Sequence, residues 1–475
     1  MKKRFLTLLC LVAVNSIAIA DDTQNRLKAM AEEMNSSSRH NGSTETYFSE
    51  NCPKQLDFWT GAAQQGQPIA QTLLGGCYHF GKGIGKDDAQ SIAWFRKAAE
   101  QGYAQAQANL GAAYADGKGV AKDETQAVAW TRKAVEQGYA NAQYNLGVMY
   151  ADGTGVAKDE AQEVAWYRKA AEQGYANAQH NLGVMYEKGT GVAKDEAQAV
   201  VWTRKAAEQG YALAQFNLAA RYATGTGVAK DEAQAVVWSR KAAEQGNANA
   251  QFSLGFMYAN GEGVAKDEVQ AVAWYRKAAE KGDAEAQFNL GFAYANGTGV
   301  AKDEVQAVAW TRKAAEQSYA PAQVNLGRAY ANGTGVAKDE AQAVAWFRKA
   351  AEQGDANAQF NLGVAYYNGK GVTKDEAQAV AWIRKAAEQG LAQAQYSLGS
   401  MYDNGNGVAK DETQAVAWYR KAAEQGDAHA QYNLGVLYAN GEGVTKDDAQ
   451  AVAWFRKAAE QGHTNAQKAL KQLSQ

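Results

Sequence analysis

The side chains able to do chemistry in this chain are few and scattered. The five histidines, His40, His79, His180, His429 and His463, stand far apart in sequence, and none has an i, i+4 partner or a nearby cysteine pair of the kind a zinc site needs. Residues 81–87, GKGIGKD, have the outline of a phosphate-cradling loop. Their last member is an aspartate, which caps the helix that follows and sets a carboxylate where phosphate would bind. There is no SxxK and no GxSxG, and no serine falls with a histidine and an aspartate at a spacing that suggests a nucleophile and its base. The chain reads as non-enzymatic, with no cofactor and no metal, so its function is sought in surfaces. With 49 Lys and Arg against 51 acidic residues, that surface is not built for a polyanion, and nucleic acid is excluded as a primary partner.

The elements that position such surfaces begin after an address. Residues 1–20 place Lys2, Lys3 and Arg4 before an apolar run that ends in Ala18-Ile19-Ala20, and they read as a signal peptide. Cleavage leaves no stretch able to span a membrane and predicts a periplasmic or secreted protein of mildly acidic charge. Residues 21–50, rich in Ser, Asn, Thr and acids, read as a flexible arm, with a short helix around residues 24–33 as the alternative.

Beyond the arm the chain keeps time. Eleven of the 12 tryptophans, Trp94 to Trp454, recur every 36 residues, and 42 of the 47 glycines keep the same period. A unit starting at residue 67 and repeated eleven times to residue 462 predicts stacked repeats and not separate globules. In the copy 139–174, Ala142, Leu146 and Tyr150 mark one face of a first helix. Gly153 and Gly155 bracket a turn, Asp159 with Gln162 opens a second helix, and Gly174 ends it. Each unit is thus an antiparallel pair of about 13-residue helices, each ~20 Å long. The reading lets Gly147 bring the helices close, has Trp166 fill the remaining gap, and pairs Arg168 with Glu172 on the surface.

The assembled pattern, AxAQxxLGxxYxxGxGVxKDxxQAxxWxRKAAEQG, resembles the Sel-one-like repeat (SLR) family, a relative of the tetratricopeptide repeat, over residues 67–462. The resemblance implies an all-α, right-handed α/α superhelix of eleven 36-residue helix-turn-helix repeats. It also implies an adaptor role, in bacteria often in envelope regulation or host contact. Some cysteine-rich relatives have been associated with β-lactams, which keeps a β-lactam-interacting hydrolase as a lesser alternative. Residues 51–66, with Phe58 at the tryptophan place, read as an N-terminal capping helix, and 463–475 as a C-terminal one. Cys52 and Cys77 belong to adjacent antiparallel helices, offset by about one helical turn, so a disulfide and two separate thiols are both open.

Counting position 1 from residue 67, positions 3, 6, 10 and 13 of the first helix lie away from its core and vary between copies. Leu213, Phe256, Phe292, Arg328, Tyr367 and His429 stand on this face and are the candidate contacts for a protein or peptide partner. Position 6 carries an aromatic ladder including Tyr144, Phe216, Phe252, Phe288, Phe360, Tyr396 and Tyr432. Packing between units explains that ladder, and stacking on a cell-wall glycan is the alternative.

Overall fold

A computed structural model of the chain describes residues 21–35 and 43–473. The signal peptide read at residues 1–20 and His40 lie outside the described residues. Among the described residues the structure is all-α, with no strand. Helix α1 covers residues 21–35 and α2 is Ser43–Gln64. From α3 (Pro68–Phe80) and α4 (Asp88–Glu100) onward, pairs of 13-residue helices repeat to α23 (Ala428–Asn440) and α24 (Asp448–Glu460), followed by α25 (Thr464–Leu473). Contacts gather these helices into two compact units. The first reaches Met257 and takes in Gly261–Ala265; the second takes in Tyr258–Asn260 and runs on from Lys266.

One hairpin of the first unit, α7 (Ala140–Asp152) with α8 (Glu160–Glu172), shows how the repeat is made. Ala142 and Leu146 on α7 are buried, as are Val164, Tyr167, Ala170 and Ala171 on α8. The Asp159 carboxylate accepts from the Gln162 amide at 2.9 Å. The same cap opens all eleven second helices, Asp87 to Asp447, and satisfies an amide that the helix itself cannot. The first helices have no such constant cap. Asp283, Asp355 and Asp427 accept from the amide three residues on, whereas Tyr139 and Tyr175 do not cap with the side chain.

Two expectations about packing are corrected. The residue facing Gly147 is Tyr167, the one after the tryptophan: a Cβ on Gly147 would lie 2.7 Å from the Tyr167 ring. Trp166 is half-buried, with the Lys169 ammonium 3.9 Å above its ring centre. The Trp–Lys pair recurs in every repeat, so the tryptophan forms an amphipathic margin that a lysine stem covers. Arg168 donates from Nη2 to the Tyr186 hydroxyl at 3.0 Å in place of the expected partner Glu172.

Two devices join one hairpin to the next. The glutamine of the AxAQ motif is buried, and Gln179 donates from Nε2 to the Ala171 carbonyl at 3.0 Å. Its Oε1 accepts from Gln209 Nε2 at 2.6 Å. The pattern recurs at Gln323, with Ala315 at 3.1 Å and Gln353 at 2.8 Å, and each such bond contributes about 1 kcal/mol. The second device is the turn: Gly155, at φ 66, sits so close to the Glu124 carbonyl that a Cβ there would strike it. Only glycine combines that backbone angle with that approach.

The N-terminal segment differs from the expected arm. Residues 21–35 are helical and α2 begins at Ser43, well before the anticipated start of the cap at residue 51. Leu27, Ala31, Met34, Tyr47 and Phe48 are buried, and a segment with that many apolar side chains to cover does not stay extended. Trp59 is fully buried and Phe58 lies under the Arg26 guanidinium, 4.1 Å from the ring centre. Cys52 of α2 and Cys77 of α3 form a disulfide with a Cα–Cα distance of 5.8 Å.

Candidate functional site

The candidate contacts do not gather into one site. Leu213 on α11 (Ala212–Thr224) and Phe256 on α13 (Ala248–Asn260) belong to the first unit and are 40% and 44% exposed. In the second unit Phe292 on α15 (Ala284–Asn296) is 58% exposed, and Arg328 on α17 (Ala320–Asn332) is exposed. Phe292 and Arg328 border one cavity of about 260 Å³. Tyr367 on α19 (Ala356–Asn368) does not line it: the ring is half-buried and its hydroxyl accepts from Asn406 Nδ2 at 3.1 Å. His429 is also elsewhere, 3.2 Å through Nδ1 from His463 Nε2, with the Tyr396 ring centre 5.9 Å away. That His429 and His463 meet was not legible in the sequence, because they stand 34 residues apart, far from the spacing of one helical turn.

The floor of the cavity is α16 (Glu304–Glu316), where Thr311 follows the tryptophan and faces Gly291; a Cβ on Gly291 would lie 2.6 Å from Thr311 Oγ1. At the matching place other repeats of this unit carry Tyr275, Phe347 or Ile383. Thr311 takes less volume there than those side chains do. Val308 completes the apolar floor, while Asn325, Asn332 and Glu304 supply polar edges. Glu304 pairs with Lys302 at 3.1 Å, which leaves Arg328 as the cation that faces outward beside Phe292. An exposed ring, a guanidinium and an apolar recess together suit one anchored apolar side chain next to a carboxylate. The sequence singled out Phe292 and Arg328 through variation at position 10. It missed Thr311, although the small residue after the tryptophan was a readable signal.

The aromatic ladder is internal packing. Tyr144 stacks on Tyr167 at 5.3 Å and meets Tyr175 at 5.2 Å, Phe288 meets Tyr319 at 5.4 Å, and Tyr432 meets Phe455 at 5.7 Å. Rings engaged this way join neighbouring helices.

At the N-terminal end a second cavity of about 260 Å³ brings His79, Asp88 and Ser91 together. His79 Nδ1 lies 3.3 Å from Asp88 Oδ1, but the buried Ser91 hydroxyl makes no hydrogen bond and so has no base to activate it. Among the described residues no group of three or more His, Cys, Asp or Glu could hold a metal ion, and no helix is long and apolar enough to cross a membrane.

Eleven helical hairpins, joined within each unit by glutamine bonds and glycine turns, define an α/α repeat scaffold. The Sel1 repeat pattern matches all eleven copies, residues 68–103 through 428–463, and the chain belongs to the Sel1 repeat family. It is similar, at 42% identity and a TM-score of 0.79, to the crystal structure of a protective antigen present in uropathogenic Escherichia coli strains that displays an SLR fold. That match covers 88% of this chain and 90% of the antigen. A Sel1 repeat protein from Oxalobacter formigenes is 38% identical with a TM-score of 0.54, over 65% of this chain and 89% of its own. No curated protein matches the chain. Scaffolds of this family are typically protein-interaction modules.

Proposed function

We propose that the protein is an exported, non-enzymatic scaffold that binds a protein or peptide partner on the variable face of its first helices, in envelope regulation or host contact. The observation that carries this reading is the recess beside Phe292 and Arg328, which pairs an exposed aromatic ring with an apolar cavity and an exposed cation. Export rests on the basic, apolar and small-residue succession of residues 1–20. A similar structure described as a protective antigen agrees with it. The glycan reading loses its main support, since the ladder that suggested it is engaged in packing. The hydrolase reading gains no support from Ser91, whose hydroxyl makes no hydrogen bond.

The test is capture of partners from envelope extracts by the mature protein and by Phe292→Ala and Arg328→Ala. A reproducible partner that both substitutions release supports the reading. No reproducible partner, or one that both variants retain, ends it.

A further inference from the structure

The two cavities occupy the same register of the repeat. His79, Ile92, Phe95, Asn109, Ala112 and Ala113 border the N-terminal one. Ala295, Val308, Thr311, Asn325, Arg328 and Ala329, each six repeats further along, border the one beside Phe292. The floor differs, with Phe95 in the first and Thr311 in the second, and so does the roof. The N-terminal cavity is covered by the chain itself, through Met34 of α1 and Phe48 of α2. The Phe48 ring packs so closely over Gly76 that a Cβ there would strike it. The sulfur of Met34 is 3.7 Å from Gln105 Nε2, and Asn35 accepts from the Tyr139 hydroxyl at 3.3 Å, so α1 reaches across onto the next two hairpins. In the second cavity Phe292 stands where Gly76 stands in the first, supplying an aromatic ring that is 58% exposed and uncovered.

From this equivalence we infer that the recess beside Phe292 and Arg328 takes an amphipathic helical segment that does what α1 does at the N-terminal end. The class of segment is written in α1. Leu27, Met30, Ala31 and Met34 follow i, i+3, i+4, i+7, and Leu27, Ala31 and Met34 are buried. Glu32 and Glu33, exposed beside Met34, show where a carboxylate falls on such a helix. Ala112 offers that carboxylate nothing, but Arg328 at the matching place offers a guanidinium. The partner is therefore a helix with a Met- or Leu-type anchor for the recess and an adjacent acidic residue. This inference rests on the proposed function and specifies its partner.

The test uses the full mature chain and a fluorescein-labelled, end-blocked peptide of residues 21–35, followed by anisotropy. Binding is expected to weaken about tenfold on Phe292→Ala or Arg328→Glu in the protein, and by a similar factor on Met34→Ala in the peptide. A peptide with Ala31→Pro, which cannot stay helical, is expected to lose binding. Absence of binding, or binding indifferent to both protein substitutions, overturns the inference. Equal binding of the proline peptide that still responds to Arg328→Glu also overturns it, and in that case the face remains the docking surface and only the helical occupant falls.

Discussion

First-helix glycines such as Gly147, Gly183 and Gly291 face the residue after the following tryptophan at close range. A Cβ on Gly183 would lie 2.7 Å from Thr203 Oγ1 and 3.1 Å from the Ala199 carbonyl oxygen, so the neighbour cannot simply rotate away. One repeat further along the chain carries the alternative pair: Ala219 at the glycine place and Ser239 after the tryptophan, both 1% exposed. Gly183→Ala is therefore expected to lower stability by about 1 kcal/mol, overpacking exceeding the gain from a better helix former. Adding Thr203→Ser should recover most of that loss, as read by urea denaturation of the single and double variants; additive effects would show that the two positions are not matched. The same pairing explains why part of the site was readable and part was not. Phe292 and Arg328 stand out as departures at a variable position, which a sequence displays directly. The recess between them is walled by Gly291, Val308 and Thr311, and that volume emerges only when these residues are brought together.

Helices in this chain differ mainly in what their otherwise constant positions contain, and α9 (Ala176–Lys188) contains a histidine where other copies have Tyr144 or Phe216. His180 is buried against the Tyr211 ring, 5.2 Å away, and its Nδ1 makes no hydrogen bond. Burial, with the nearby Arg221 guanidinium adding to it, pushes the imidazole down to about 4 from its ordinary 6.5. Between these values the unfolded chain takes up a proton that the folded helix refuses, so stability is complete above pH 6.5 and falls as pH drops toward 4. Acidification to pH 4.5 should cost about 2–3 kcal/mol on this account. His180→Phe is expected to flatten that part of the profile, measured as the difference in urea midpoints between pH 7 and pH 4.5; a parallel shift in variant and parent would remove His180 as the cause. Element by element, the hairpins were legible because every copy repeats the same caps, turns and apolar spacing. Helix α1 was legible only as the alternative to an arm, and the start of α2 was not, since the polar stretch between them hid the apolar Leu27, Met34 and Phe48 that α2 and the first hairpins cover.

Stability in a chain of near-copies is a sum of hairpins and their junctions, so the molecule should tolerate losing a whole period in a way a single globule could not. Deleting residues 356–391 joins Asp355 to Ala392. The Asp355 carboxylate, which accepts from the Ala358 amide at 2.8 Å, would meet Ala394 in the same relation. Deleting 284–319 joins Asp283 to Ala320 with an equally good junction, because Asp283 accepts from the Ala286 amide at 2.7 Å and Ala322 takes that place. Both shortened chains should keep the helical signal per residue of the parent in circular dichroism. They separate in function. The first deletion leaves Phe292, Thr311 and Arg328 together and should bind the 21–35 peptide as the parent does. The second removes Phe292 and Thr311 and should weaken binding about tenfold or more, the loss expected for a hot-spot residue with its recess. If the first deletion unfolds the chain, hairpins contribute through more than their neighbours, and if the second binds unchanged, the contact lies elsewhere on the repeats.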